Sequence, residues 1–119
     1  MKAKMLWSGA MYMFAAGALA SDDQGYRKLS GSYAITSAHL VDPGPAQKRD
    51  RAVFFVESDA AKDLYQAMKG KAVRDPCSDE LTTKTAGGLA CSKEVGREVY
   101  TCAFGVRLES GTLIGAKVC

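Results

Sequence analysis

Histidine is nearly missing from this chain of 119 residues, with His39 its only occurrence. A zinc site built from several imidazoles is thereby excluded, and any histidine-dependent triad would have to use that one residue. Close cysteine pairs are missing too. Cys77, Cys91, Cys102 and Cys119 are separated by fourteen, eleven and seventeen residues. No C-x₂₋₄-C pair exists to anchor zinc, and no C-x-x-C exists to form a redox couple. Blocks of basic charge are also lacking, and the longest apolar run, Met5 to Gly17, is too short to span a bilayer.

What is present begins with MKAKMLWSGAMYMFAAGALA, in which Lys2 and Lys4 precede the apolar run and Ala18-Leu19-Ala20 precedes the polar SDDQ. Charged region, apolar region and small-residue site occur in the order of a cleavable secretory signal, so the layout predicts a signal over residues 1–20 and one domain over 21–119. Ser21 follows the expected cleavage site, where a bacterial lipoprotein would need cysteine, so no lipid anchor is expected. The formal net charge of +3 rests on sixteen basic and thirteen acidic residues. Losing Lys2 and Lys4 leaves fourteen against thirteen, a net charge of +1, which provides no drive toward nucleic acid or an anionic membrane.

Four cysteines in an oxidising compartment make two bridges in one of three connectivities. In CSKEVGREVYTC, a two-residue turn at Gly96-Arg97 sets Cys91 opposite Cys102. Opposed residues lie within disulfide range, although this turn would make them the wider, hydrogen-bonded kind of pair. By default Cys77 then joins Cys119.

The elements are read from periodicity. LSGSYAITS alternates apolar residues at Tyr33 and Ile35, and DPGPAQKRD breaks the run. AVFFVE at 52–57 reads as a central strand. Ser58-Asp59 are expected to cap a helix whose stripe of Ala61, Leu64, Tyr65 and Met68 lies on a sheet, with Gly70 ending it. Residues 71–90 read mostly as connection, longer than a structureless loop should be in a compact domain, which implies either a short strand near Leu81 to Thr85 or a functional loop. In VYTCAFGVRL the core face is Tyr100, Cys102, Phe104, Val106 and Leu108. A bulged turn at Glu109-Ser110-Gly111 would pair Leu108 with Thr112, placing Ile114, Ala116 and Val118 on that same face. The fold class expected is α+β: a small antiparallel sheet of about four or five strands with one helix packed on one face, in the order β-β-α-β-β-β, with two disulfides.

No catalytic constellation stands out. Ser37, His39 and Asp42 are neighbours in sequence, whereas a triad is assembled from separate segments. Lys84-Thr85-Ala86-Gly87 is similar to the K-T-G strand of serine β-lactamases but lacks their S-x-x-K and S-D-N partners, and Gly87-Gly88 lacks the lysine and hydroxyl of a phosphate loop. Glu57, Asp59 and Asp63 gather where a helix begins, and capping accounts for two of them. The expectation is a non-enzymatic exported protein, periplasmic or secreted, without cofactor or metal, that binds another protein in the manner of an inhibitor or immunity factor. Its candidate binding loop holds Arg74, Asp75, Ser78, Asp79, Glu80 and Lys84, beside a second polar segment at Asp42 to Arg51. The design is similar to periplasmic lysozyme inhibitors and toxin-immunity proteins at the level of architecture, and none of their local inhibitory motifs occurs. The rival readings are an envelope accessory protein without a tight partner and a small hydrolase using acidic residues near His39.

Overall fold

The computed structural model describes residues 25–37 and 45–116. The expected signal, His39, Asp42, Lys117, Val118 and Cys119 lie outside them. The elements follow in the order β1 (Ser30–Thr36), β2 (Arg51–Glu57), α1 (Ser58–Ala67), β3 (Val73–Arg74), β4 (Leu81–Ala86), β5 (Leu89–Glu94), β6 (Tyr100–Arg107) and β7 (Leu113–Ile114). All strands join one antiparallel sheet ordered β1-β2-β6-β5-β4-β3, with β7 beside β6. The α+β class with one helix holds, and the sheet has seven strands where four or five were expected. The extra strands come from the 71–90 segment: β4 folds back on β5 through a tight turn at Gly87-Gly88, and β3 borders β4.

β2 lies between β1 and β6, as its apolar run implies. Val53 faces one side of the sheet, Ala52 and Val56 the other, and all three are buried. β1 reaches β2 closely at Gly31, where a Cβ atom would stand 2.0 Å from the Phe55 carbonyl oxygen. Any side chain there would push the two strands apart.

The chain passes from β2 into α1 without a connection. Ser58 takes φ of 60°, a left-handed conformation that reverses the chain, and the N-cap residue, Glu57, makes no side-chain capping hydrogen bond. The expected Ser58-Asp59 cap is therefore not formed, because the residue before the helix is the end of a strand. The stripe lies on the sheet as its spacing implies: Ala61 and Tyr65 are buried, and Leu64 and Met68 pack at the margin. Beneath them lie Val56, Cys91, Tyr100 and Cys102, and the Tyr65 and Tyr100 rings meet edge to face at 5.4 Å. Gly70 does not end the helix; Met68 turns to extended backbone while its N–H still donates to the Leu64 carbonyl.

Cys91 and Cys102 face each other in the β5–β6 register and form a disulfide, both fully buried under α1. The loop joining the strands differs from expectation. Glu94 N–H donates to Val99 O at 3.0 Å, and Arg97 N–H closes a turn onto Glu94 O at 3.2 Å. Residues 95–98 thus form a four-residue loop, with Gly96 at φ of 74° in the third turn position, where a type II turn requires a positive φ. Two extra loop residues preserve which residues are opposed but shift the hydrogen-bonding alternation by one. Glu94–Val99 is the bonded pair, so Cys91–Cys102 falls at a narrow, non-bonded position, with Cα atoms 4.0 Å apart. This is the one disulfide among the described residues; the expected Cys77–Cys119 bridge involves a residue outside them.

The last turn is also longer than expected. Arg107 N–H donates to Thr112 O, and Leu108 N–H turns to Asp50 O beside β2. The register moves by one residue, so Ile114 pairs with Gly105 on the face away from α1, while Leu113 pairs with Val106 on the helix side. Leu108, expected in the core, is half-exposed.

Removing the clasp with Cys91→Ala and Cys102→Ala together is expected to cost about 3 kcal/mol from loop entropy alone. Urea unfolding followed by circular dichroism measures the loss. An unchanged midpoint would show that the closed hairpin contributes nothing to stability.

Candidate functional site

The six residues of the expected binding loop divide into two groups. Lys84 lies in β4 and reaches across the helix end: its Nζ donates to the carbonyl oxygens of Tyr65 and Met68, each at 3.0 Å, and stands 4.6 Å from the Tyr65 ring centre. An ammonium at the negative end of a helix satisfies carbonyls that have no partner within the helix. Gly70 was expected to end this helix; Lys84 caps it from the sheet. Asp75 is buried, and its carboxylate accepts the Cys77 N–H at 2.8 Å and the Thr83 hydroxyl at 2.5 Å. Having given its proton to Asp75, the Thr83 oxygen accepts from Ser92 Oγ at 2.7 Å. The row Ser92–Thr83–Asp75 fastens the start of the loop to the back of the sheet. Within the row Ser92 contacts the Thr83 hydroxyl and reaches the Asp75 carboxylate through it.

Arg74, Ser78, Asp79 and Glu80 remain toward solvent. Arg74 and Asp79 approach to 3.8 Å, and Ser78 Oγ accepts the Glu80 N–H. The structure adds a neighbour that the spacing of the sequence did not indicate: the tip of the β5–β6 hairpin. Val95 N–H donates to Glu80 O at 2.8 Å, joining the tip to the loop. Asp79, Glu80, Glu94, Val95 and Arg97 surround an open groove of about 460 Å³, across which Arg97 pairs with Glu94 at 2.9 Å. Val95 is 60% exposed, an apolar side chain held outward among charges.

A second groove of about 560 Å³ lies on the other side of the tip, between it and the start of α1, lined by Glu57, Ser58, Asp59, Lys62, Glu98 and Val99 among others. Lys62 pairs with Glu98 at 3.3 Å, and Tyr100 donates its hydroxyl to Glu98 at 3.2 Å. These donors, Lys62 first, hold the Glu98 carboxyl below its ordinary value of 4.5. Tyr100 is shifted upward by desolvation and by the neighbouring Glu98 charge, which opposes a phenolate. Of the carboxylates grouped at the helix start, Glu57 and Asp59 line this groove, while Asp63 pairs with Arg27 on the outer side of the helix at 3.5 Å.

The tip thus carries a groove on each flank, both shallow and both bordered by solvent-exposed ion pairs. Such a surface suits contact with another macromolecule more than enclosure of a small one. Among the described residues no group of three histidine, cysteine or carboxylate side chains could hold a metal ion. No described helix is long and apolar enough to cross a membrane. The chain matches no family model, and neither the curated proteins nor the solved structures include a match to it.

Two outcomes check these assignments. Lys84→Met is expected to cost about 1–2 kcal/mol in urea unfolding, through loss of charged hydrogen bonds to the helix end; an unchanged midpoint would remove its capping role. Glu98 stabilises the fold above its ordinary value of 4.5, and that contribution fades as pH falls through the lower folded value. Carbon-detected titration by NMR is expected to find its midpoint below 4.5 and to see it rise in Lys62→Met. A midpoint indifferent to Lys62 would contradict the assigned pairing.

Proposed function

We propose that this protein is an exported, non-catalytic binding domain of inhibitor or immunity type, which engages another protein through the β5–β6 tip and the adjoining 78–80 loop. The observation that carries the reading is the junction of these two segments through the Val95–Glu80 backbone hydrogen bond. The disulfide fixes the hairpin behind the tip, and buried Asp75 fixes the loop behind its exposed residues. A surface ordered before binding loses less conformational entropy on association. Exposed Val95 supplies an apolar contact, and Asp79, Glu80, Glu94 and Arg97 provide a polar rim of both signs.

Export is supported by the charged, apolar and small-residue order at the N-terminus, and by a disulfide, which suits an oxidising, non-cytoplasmic compartment. We assign the mature domain to residues 21–119 in the periplasm or outside the cell, with Cys77 joined to Cys119 as the second bridge. That bridge would tie the 75–80 loop to the end of the chain and stiffen the same binding end. Neither nucleic acid nor a membrane is part of this reading.

The test is affinity capture from envelope and culture fractions with the oxidised protein, followed by titration of the captured partner. Val95→Asp and Arg97→Glu are each expected to weaken the partner about tenfold or more, whereas Leu108→Lys, exposed beyond the end of β6 opposite the tip, leaves its affinity unchanged. Absence of a saturable partner, or capture indifferent to both tip variants, would defeat the proposal.

A further inference from the structure

The helix covers only part of its side of the sheet. Beyond it, the Tyr33, Phe54 and Phe104 rings form a row across β1, β2 and β6, with centres 6.2 and 5.0 Å apart. With Leu29 they border a shallow apolar hollow of about 220 Å³. This hollow opens toward β1, which among the described residues pairs only with β2 and so forms one edge of the sheet.

The two edges of the sheet differ in a way that bears on association. β3, the far edge, is two residues long, contains Arg74 and is followed by Asp75-Pro76. Short length, charge and proline are the usual guards against pairing with another chain. β1 has none of them: its seven residues, SGSYAIT, contain no charge and no proline, and the first six are exposed.

We propose that β1 is the self-association edge of the protein, pairing antiparallel with β1 of a second copy about a two-fold axis at Tyr33. The sequence of the strand suits that register. Ile35 of one copy opposes Gly31 of the other, Ser32 opposes Ala34, and the two Tyr33 rings meet at the axis. Arg27 and Lys28 lie outside the paired span. The exposed span Gly31–Ile35 supplies about four to six hydrogen bonds between the strands.

The apolar surface is of the size that such a contact needs. Leu29, Tyr33 and Ile35 point to the helix side, at 70%, 71% and 44% exposure. Together they present on the order of 350 Å² per copy, in the range of patches that mark interaction surfaces. Adding the strand backbone and the Phe54 margin brings the contact toward the roughly 600 Å² per partner at the lower end of specific interfaces. Pairing would join the two aromatic rows into one. Because the two β1 strands run in opposite directions, it would also leave the two hairpin tips open at opposite ends of the joined sheet.

Sedimentation equilibrium of the oxidised protein tests the proposal. The expected result is a reversible monomer–dimer equilibrium in the micromolar range, weakened about tenfold or more by Tyr33→Lys, which places two like charges at the axis. Circular dichroism of that variant is expected to match the parent, since Tyr33 is 71% exposed, and Val73→Lys on the guarded edge is expected to dimerise as the parent does. A protein monomeric up to about 200 µM, or a dimer that survives Tyr33→Lys or is broken by Val73→Lys, would overturn the assignment.

Discussion

The Cys91–Cys102 bridge lies where the helix, β5 and β6 meet, and much of the molecule takes its position from it. Both cysteines are fully buried, and Cys102 Sγ stands 3.6 Å from the Ala61 carbonyl oxygen, so the clasp is itself part of the core beneath α1. A covalent link at one opposed pair admits one register for the hairpin, and register decides which side chains of β5 and β6 face the helix. Tyr100 and Cys102 then fall under Tyr65 and Ala61, while Ser92 turns to the other side to complete the row with Thr83 and Asp75.

From that register the binding end follows. Strands held at Cys91 and Cys102 reach the Glu94–Val99 hydrogen bond in step, and the four residues beyond it must turn in the little space that remains. Val95 is thereby presented to Glu80, and the tip and loop become one surface. Burial of an ionisable group serves the same end at Asp75, whose carboxylate is satisfied by a backbone N–H and a hydroxyl. Such a group is costly unless its partners are fixed. Fixing them orders the loop from which Asp79 and Glu80 project.

The parts of this design that were legible in the sequence are those governed by local periodicity. Alternation in SGSYAIT and YTCAFGVR, the apolar run of β2 and the stripe of Ala61, Leu64, Tyr65 and Met68 all reflect how a strand or a helix presents successive side chains. What escaped depends on distant partners. Gly96 suits either the first position of a two-residue turn or the third position of the longer one, and the Val95–Glu80 bond is part of the longer arrangement. Leu108 was displaced from its expected pairing by a hydrogen bond to Asp50, a residue 58 positions earlier. In LTTKTA the short strand expected near Leu81 to Thr85 is present as β4, but the roles of its polar residues were hidden: Thr83 is buried in hydrogen bonds to Asp75 and Ser92, and Lys84 lies inward against a helix end. For the same reason the candidate loop contained both surface residues, Arg74, Asp79 and Glu80, and two that hold the fold, Asp75 and Lys84.

The central claim is that the clasped hairpin tip and the loop beside it form one ordered surface that meets the partner. Backbone amide exchange of the oxidised protein, with and without its captured partner, tests this most directly. The account predicts that the partner slows exchange at residues 78–80 and 94–99, with smaller changes along the adjoining start of α1. Slowing confined to other parts of the sheet, with the tip and loop exchanging as in the free protein, would contradict it.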